Sequence, residues 1–312
     1  MTEQSEQLLE DRYDFNGHTV AVRSDSDGAL RHLRWVYGRF LVGAATGEAE
    51  ASCVLTVRDR IDAAGELHLA GGFRDYTLFC KDLQSFDYDR YVSRGNVPDP
   101  LAFVQWYVIE NVTLLARDCQ LIHAASLAWG DDGLIFPAAS GRGKTTLALG
   151  LVMRGFRFLS DEVAWLHPGS DRVETFPRRV HVSDHSLQLL GLPPGPEGRA
   201  FSREGGVREW ALDVEDVAPD VEIGPARLRH LVFLNGFGEA PRLRPISSTS
   251  ALMRLFRCTI QPPSDPAATM FEFAPLIDRV RCFELVVGDV NATADLVQEL
   301  VCGPEREAAT SR

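Results

Sequence analysis

The chain has 312 residues, 45% of them apolar, enough for a sizeable core in one large or two ordinary domains. Forty-four acidic residues against 32 basic ones give a net charge of −12, which argues against a general nucleic-acid binder but leaves room for a local basic pocket around phosphates. No apolar run reaches membrane-spanning length, the N-terminus is acidic without a signal peptide, and the six cysteines form no CxxC pair or zinc-ligand spacing. A cytoplasmic protein without membrane or nucleic-acid partners is expected.

Residues 1 to about 12 are polar and read as a frayed end. From His18 to about Asp89, short alternating segments recur, among them Thr19–Val22, Ser52–Val57 and Leu67–Ala70. Gly, Asp and Asn punctuate them, so a small β-rich domain is expected over residues 1–98, with one helix near Ala29 to Tyr37. It shows no catalytic constellation. Asn96 to Pro100 is the boundary: Asp99 can cap a helix and Pro100 fits its first turn. The helix then runs from about Leu101 to Arg117, and its aromatics Phe103, Trp106 and Tyr107 read as packing residues.

A strand from Leu121 to Trp129 turns at Gly130-Asp131-Asp132-Gly133 into a second strand, Leu134 to Phe136. That strand feeds Ala138-Ala139-Ser140-Gly141-Arg142-Gly143-Lys144-Thr145-Thr146. Strand, small-residue loop, Lys-Thr and helix, in that order, make a phosphate-binding P-loop. Small residues let backbone N–H groups surround a polyphosphate, and the helix start adds its positive dipole end. Residues Ala138 to Thr146 are the expected ATP contacts. Lys144 would reach the β- and γ-phosphates, and Thr145 would be a ligand of Mg²⁺, which prefers hard oxygens. Ala138 stands where the pattern calls for Gly and is tolerable if its φ is negative.

The loop helix is expected to end at Gly155 as a C-terminal cap. The strand Phe156 to Leu159 then closes on Ser160-Asp161-Glu162. An acidic residue at a strand end near the phosphates holds magnesium directly or through water. A second carboxylate there could accept a proton from an attacking hydroxyl. His123 lies in the strand that pairs with the loop-feeding strand. Further on come a breaker-rich stretch from Pro193 to Gly206, a buried strand over Leu228 to Leu234 and a helix over Ser250 to Arg257. A Pro-rich loop over Pro262 to Pro266, a strand over Phe283 to Val287 and a helix from about Ala292 to Val301 complete the chain.

His123, the hairpin, the loop Ala138 to Thr145, and Arg154-Gly155 running to Ser160-Asp161-Glu162 together resemble the catalytic domain of HPr serine kinase/phosphorylase. The resemblance is specific from about Leu121 to Leu166. Later segments look like the divergent kinases found beside peptide-maturation enzymes. It implies an α/β fold like that of phosphoenolpyruvate carboxykinases over residues 99–303, beside the α+β N-terminal region; the polar residues 304–312 read as a disordered tail. It also implies Mg-ATP-dependent transfer to a Ser/Thr hydroxyl of a small protein or ribosomally made peptide, and a possible homo-oligomer. Carried over by position, Lys144 binds phosphate, Thr145 binds Mg²⁺, Glu162 takes the general-base position, Asp161 is its acidic neighbour, and His123 positions the carboxylate pair. Glu162 stands where the family has Asp, so either carboxylate could be the base. The Arg-Gly segment that follows the acidic pair in bifunctional members is absent. Arg178, in Phe176-Pro177-Arg178-Arg179, is a candidate extra phosphate clamp. Two alternatives remain open: a nucleotide-binding partner module without phosphotransfer, and a small-molecule kinase using Arg242 and Arg244.

Overall fold

In the computed structural model the described residues are 8–25, 27–42, 51–60, 66–73, 76–82, 85–87, 100–117, 119–167, 169–195, 200–202, 208–260 and 266–303. The Asp99 cap, the loop at 262–265, parts of the 193–206 stretch and the 304–312 tail lie outside them. The chain divides into two compact units, Met1–Arg117 and Asp118–Arg312.

The first unit contains β1 (Leu9–Phe15), β2 (His18–Ser24), α1 (Asp27–Tyr37), β3 (Leu41–Val42), β4 (Cys53–Arg60), β5 (Glu66–Gly71), β6 (Tyr76–Asp82), β7 (Ser85–Asp87) and α2 (Pro100–Leu115). The strands form one sheet in the order β3-β1-β2-β4-β5-β6-β7. The end expected to fray instead begins a strand at Leu9. Its polar residues alternate with Tyr13 and Phe15, both fully buried, and Phe15 packs its ring 5.4 Å from Tyr37 and 4.8 Å from Phe40. Helix α2, assigned from sequence to the second domain, packs on α1, β2 and β4. The Tyr107 hydroxyl donates to the Gly71 carbonyl at 2.6 Å, and the Asn111 side chain accepts from the Phe73 amide at 3.0 Å. The boundary therefore falls at 117/118 rather than 98/99, because the apolar side of α2 is buried against the first sheet.

The second unit runs β8 (Gln120–Trp129), β9 (Asp132–Pro137), α3 (Lys144–Val152), β10 (Arg157–Ser160), β11 (Val163–His167), β12 (Arg172–Glu174), β13 (Val180–Ser183) and α4 (Asp184–Leu190). It continues with β14 (Ala200–Ser202), β15 (Arg208–Leu212), α5 (Val214–Val217), β16 (Ala226–Phe237), β17 (Arg242–Pro245), α6 (Ser248–Phe256), α7 (Pro266–Ile277), β18 (Arg281–Val287) and α8 (Val290–Cys302). The class is mixed α/β. Pairing of β8 with β11, β11 with β12, β12 with β16, β16 with β9 and β9 with β8 closes a ring, extended by β10 on β8, by β18 on β16 and by β17 on β18. Strands β9, β16 and β18 are mutually parallel, so their C-terminal ends share one edge.

Both faces of these strands are covered, which explains apolar runs without polar alternation. Leu134 and Phe136 of β9 and Val232 and Leu234 of β16 face one core, shared with α3 and α8. Ile135, Leu231 and Phe233 face the other, shared with α6 and α7. Helix α3 is apolar all round because it is enclosed: Leu147 through Val152 are all buried. Helix α7 was not anticipated. Pro266 is expected to close a Pro-rich loop, but it occupies the first helical position, where no donor is lost; Pro275 lies within the helix, and buried Phe273, Leu276 and Ile277 hold that part.

The expected cap at Gly155 is present. Its φ is +87°, its amide donates to the Val152 carbonyl at 2.9 Å, and the Phe156 amide donates to that of Leu151 at 3.2 Å. These are the two bonds of a Schellman motif. A Cβ at Gly155 would meet only Trp129, at 3.9 Å, so the cost of a substitution is backbone strain and not collision. Gly155→Ala is expected to cost about 1–2 kcal/mol, and Gly155→Asn less, since Asn tolerates the left-handed region. Urea midpoints of the three proteins measure this.

Candidate functional site

The loop leaves the end of β9 and closes on α3. Gly141 and Gly143 have φ of +72° and +83°, so both positions require glycine. Ala138 does not: among the described residues, only Asn16 and Asp171 are non-glycine with positive φ. The alanine in place of the pattern's first glycine therefore carries no strain. Gly143 caps α3 without a side-chain acceptor, and the first bond of the helix is from the Leu147 amide to the Gly143 carbonyl at 2.9 Å. The N–H groups of Lys144, Thr145 and Thr146 thus have no intrahelical partner and form a donor cluster for an anion. The Lys144 side chain is buried and folds back on the loop, donating to the carbonyls of Ala138 at 2.9 Å and Ala139 at 3.1 Å. Burial pulls its pKa below the ordinary lysine value, partly offset by Asp161.

The acidic pair is the two-residue jog between β10 and β11, both of which pair with β8. The Ser160 hydroxyl accepts from the Glu162 amide at 3.3 Å and the Val163 amide at 3.0 Å, and the Glu162 carbonyl accepts from the Ala124 amide at 3.0 Å. Asp161 is 2% exposed, and one of its oxygens accepts from the Thr145 hydroxyl at 3.2 Å. Its other oxygen, Oδ1, is buried without a hydrogen-bond partner. Burial raises the Asp161 pKa, against the pull of Arg178 and the Thr145 hydrogen bond. Glu162 keeps its side chain 45% exposed and forms an ion pair with the buried Arg178. Arg178 is placed by Phe176, which is fully buried and whose amide donates to the Leu159 carbonyl at 2.8 Å.

His123 pairs with Val163 across the ladder, and its carbonyl accepts from the Ala138 amide at 3.5 Å. Burial pushes its imidazole pKa from 6.5 down to about 4, with the charges of Lys144 and Arg178 adding to the effect. The ring is therefore neutral at neutral pH.

These groups line a cleft of about 490 Å³. It brings together His123, Ser140, Gly141, Gly143, Lys144, Thr145 and Thr146 with Asp161 and Glu162. Ala138 and Ala139 contribute carbonyls to Lys144 but do not line the cleft, and Arg142 is exposed and outside it. Arg242 and Arg244 lie exposed on β17 and do not line it, which removes the cation cluster expected of a small-molecule kinase. The sequence reading missed the opposite wall. Ser186 of α4 shares a hydrogen bond of 2.8 Å with Thr146, and Phe237, Gly288 and Asp289 come from the ends of β16 and β18. The only local signal there was Ser183 heading a helix, where it caps the Ser186 amide at 3.2 Å. A second concavity of about 510 Å³ lies at the other end of α3, lined by Met153, Phe156, Arg157 and Glu222 among others. None of the loop residues or carboxylates reaches it, so the chemistry belongs to the first.

No group of three or more His, Cys, Asp or Glu able to hold a metal occurs among the described residues. The Thr145 hydroxyl and the unpartnered Asp161 oxygen make a sparse, all-oxygen donor pair. That set fits Mg²⁺, which keeps waters and shares substrate oxygens, and does not fit zinc. Among the described residues no helix is long and apolar enough to cross a membrane.

No protein-family model matches the chain, and no curated protein matches it. Among solved structures, the HPr(Ser) kinase/phosphatase from Coxiella burnetii aligns with 61% of this chain and 93% of its own, at 14% identity and a TM-score of 0.31. Similarity at that level carries no argument about fold or function.

A pH test follows from His123. Its pKa is about 4 folded and 6.5 ordinarily, so below about pH 6.5 the unfolded chain binds a proton that the folded one refuses. Stability is full above that value and falls as pH drops towards the folded pKa. At pH 5 the loss from this group is about 1–2 kcal/mol. Asp161 acts in the opposite sense, favouring the fold at low pH and losing that contribution as pH rises through its raised pKa. His123→Gln should flatten the fall in urea midpoint between pH 7 and pH 5. An NMR titration placing the His123 midpoint near 6.5 would contradict the expectation.

Proposed function

We propose that this chain is an ATP-dependent phosphotransferase, acting in the cytoplasm on a Ser or Thr hydroxyl of a small protein or peptide. The observation that carries the reading is Asp161. It is buried, hydrogen-bonded to Thr145 at the start of a helix whose N–H groups are free, and left with one unpartnered oxygen. Burying a charged carboxylate in that way costs several kcal/mol unless a cation completes it or a proton neutralises it, and the adjacent Thr145 hydroxyl and free amides favour the cation. The acceptor class rests on the resemblance of the motif set to HPr-type kinases.

The two carboxylates divide the work by position. Asp161 is almost wholly buried at the cleft wall and bonded to Thr145, and these two would hold Mg²⁺, which would neutralise phosphate charge. Glu162 is half exposed in the cleft, oriented by Arg178, and reachable by an acceptor. Glu162 takes the hydroxyl proton as the acceptor oxygen bonds to the γ-phosphorus and the bond from that phosphorus to the bridging oxygen of ADP breaks. Lys144 exchanges its two loop carbonyls for phosphate oxygens, and the amides of residues 144 to 146 offset the charge of the transferring group. Arg178 stands beside Glu162 as a second fixed positive charge. His123, neutral and lining the same cleft, adds no positive charge to the site.

The test is phosphate transfer from labelled ATP to Ser/Thr peptides, with nucleotide binding measured in parallel. Glu162→Gln should lower transfer by about 10²–10⁴-fold, the usual worth of a general base, with nucleotide affinity unchanged. Asp161→Asn should weaken magnesium-dependent nucleotide binding itself. Full transfer by both variants sinks the assignment. Nucleotide binding without transfer to any acceptor would instead make the chain a nucleotide-gated binding module.

A further inference from the structure

Phe237 stands apart from the charged half of the cleft. It is 64% exposed, among the most exposed large apolar side chains of the second unit, yet it belongs to a strand whose Val232 and Leu231 are fully buried. Its exposure is built in. The register of β16 against β18 shifts between Leu234 and Phe237, and Gly236 between them has φ +77°. Such a bulge re-aims the following side chain. Strand β16 also runs past the end of its pairing with β9, which reaches Leu231 opposite Ile135. Phe237 therefore overhangs the loop that follows β9. A Cβ built on Gly143 would lie 3.4–3.6 Å from the Phe237 ring.

The strand order places this ring. The loop follows β9, the carboxylates sit between β10 and β11 beyond β8 on one side of it, and β16 and β18 lie on the other. All three parallel strands end at the same edge, the usual position of a ligand crevice in sheets of this kind. The Gly238 amide donates to the Val287 carbonyl at 2.8 Å, which ties the segment after Phe237 to Gly288 and Asp289. The cleft thus has a charged end, where the loop meets Asp161 at Thr145, and an aromatic end, where it meets Phe237 at Gly143.

We propose that Phe237 is the stacking platform for the base of the nucleotide. The inference rests on the loop taking the phosphates. With those fixed at the amides of residues 144 to 146 and the reacting end directed to Glu162, the ribose and base must leave on the β16–β18 side. There, a planar base meets the exposed face of Phe237. Stacking accepts any base, since each has a π-face, so this site favours nucleotides over inorganic polyphosphate and discriminates weakly among bases.

The test compares ATP, GTP and inorganic tripolyphosphate on the full chain by competition with a fluorescent nucleotide, in the wild type, Phe237→Ala and Phe237→Tyr. The wild type should bind ATP and GTP similarly, and tripolyphosphate about 5- to 100-fold more weakly, the range for losing one base–aromatic stack. Phe237→Ala should bring both nucleotides down to the tripolyphosphate level and leave tripolyphosphate binding unchanged, while Phe237→Tyr retains the preference. Unchanged ATP affinity in Phe237→Ala overturns the platform while leaving the phosphate loop standing. A wild type that binds neither ATP nor tripolyphosphate overturns both. An equal loss of tripolyphosphate binding in Phe237→Ala would mark the ring as a support for the loop and also overturn the proposal.

Discussion

The hydrogen-bond ladders on the two edges of β8 are the constraint on which the rest of the site depends. On one edge β9 pairs from Trp129–Asp132 to Ala124–Pro137, and the loop begins where that ladder ends. On the other edge β10 pairs at residues 126–128 and β11 at residues 120–123. Between them one strand gives way to the next, and Asp161 and Glu162 occupy the gap. The backbone of residues 123 and 124 bonds to both sides, accepting from Ala138 and donating to Glu162. A shift of one residue in either ladder would turn the affected side chains to the opposite face and separate Thr145 from Asp161. The distance between loop and carboxylates is therefore set by backbone pairing and not by contacts between the charged groups themselves.

That rigidity lets the cleft hold four charged groups in little space. Lys144 and Arg178 oppose Asp161 and Glu162, and His123 remains neutral because burial and the two cations both disfavour its charged form. The four charges are not equivalently satisfied. Glu162 and Arg178 have each other, whereas Lys144 rests on two carbonyls and Asp161 keeps one bare oxygen. Two groups of opposite sign, each incompletely satisfied and both buried, are what a bound polyanion with its cation would complete.

Legibility in the sequence followed chain distance. The hairpin, α3 and its Gly155 cap span one local run in which each residue's role depends on near neighbours, and the structure has all three. The carboxylate pair was legible for the same reason. Arg178 was named as a candidate from a Pro-Arg stretch, but its partner Glu162 emerged only from the path of Phe176 beside β10. The far wall was opaque. Ser186, Phe237 and Asp289 reach the cleft through tertiary packing of α4, β16 and β18, and none carries a local pattern. Helix α2 was recognised as a helix but given to the wrong unit, because its sequence states that a face is buried without stating against which sheet. Helix α7 begins at the last proline of a stretch that reads as a loop, and Pro266 is tolerated there only because it takes the first helical position.

The two residues that depart from the usual pattern acquire different meanings in three dimensions. Ala138 sits at a loop position with ordinary backbone, so its methyl group is buried at the end of β9 without strain, and its carbonyl is one of the two that hold Lys144. The glycines that matter are Gly141 and Gly143, and both are present. Glu162 has a methylene more than Asp, and the structure uses that length. Its carboxylate reaches Arg178, whose own main chain is anchored by Phe176 at Leu159 on β10. An aspartate at this position would bring its carboxylate about 1.5 Å closer to the backbone and away from the guanidinium. Glu162 and Arg178 are thus a matched pair, and the longer carboxylate is the counterpart of an arginine arriving from outside the local motif.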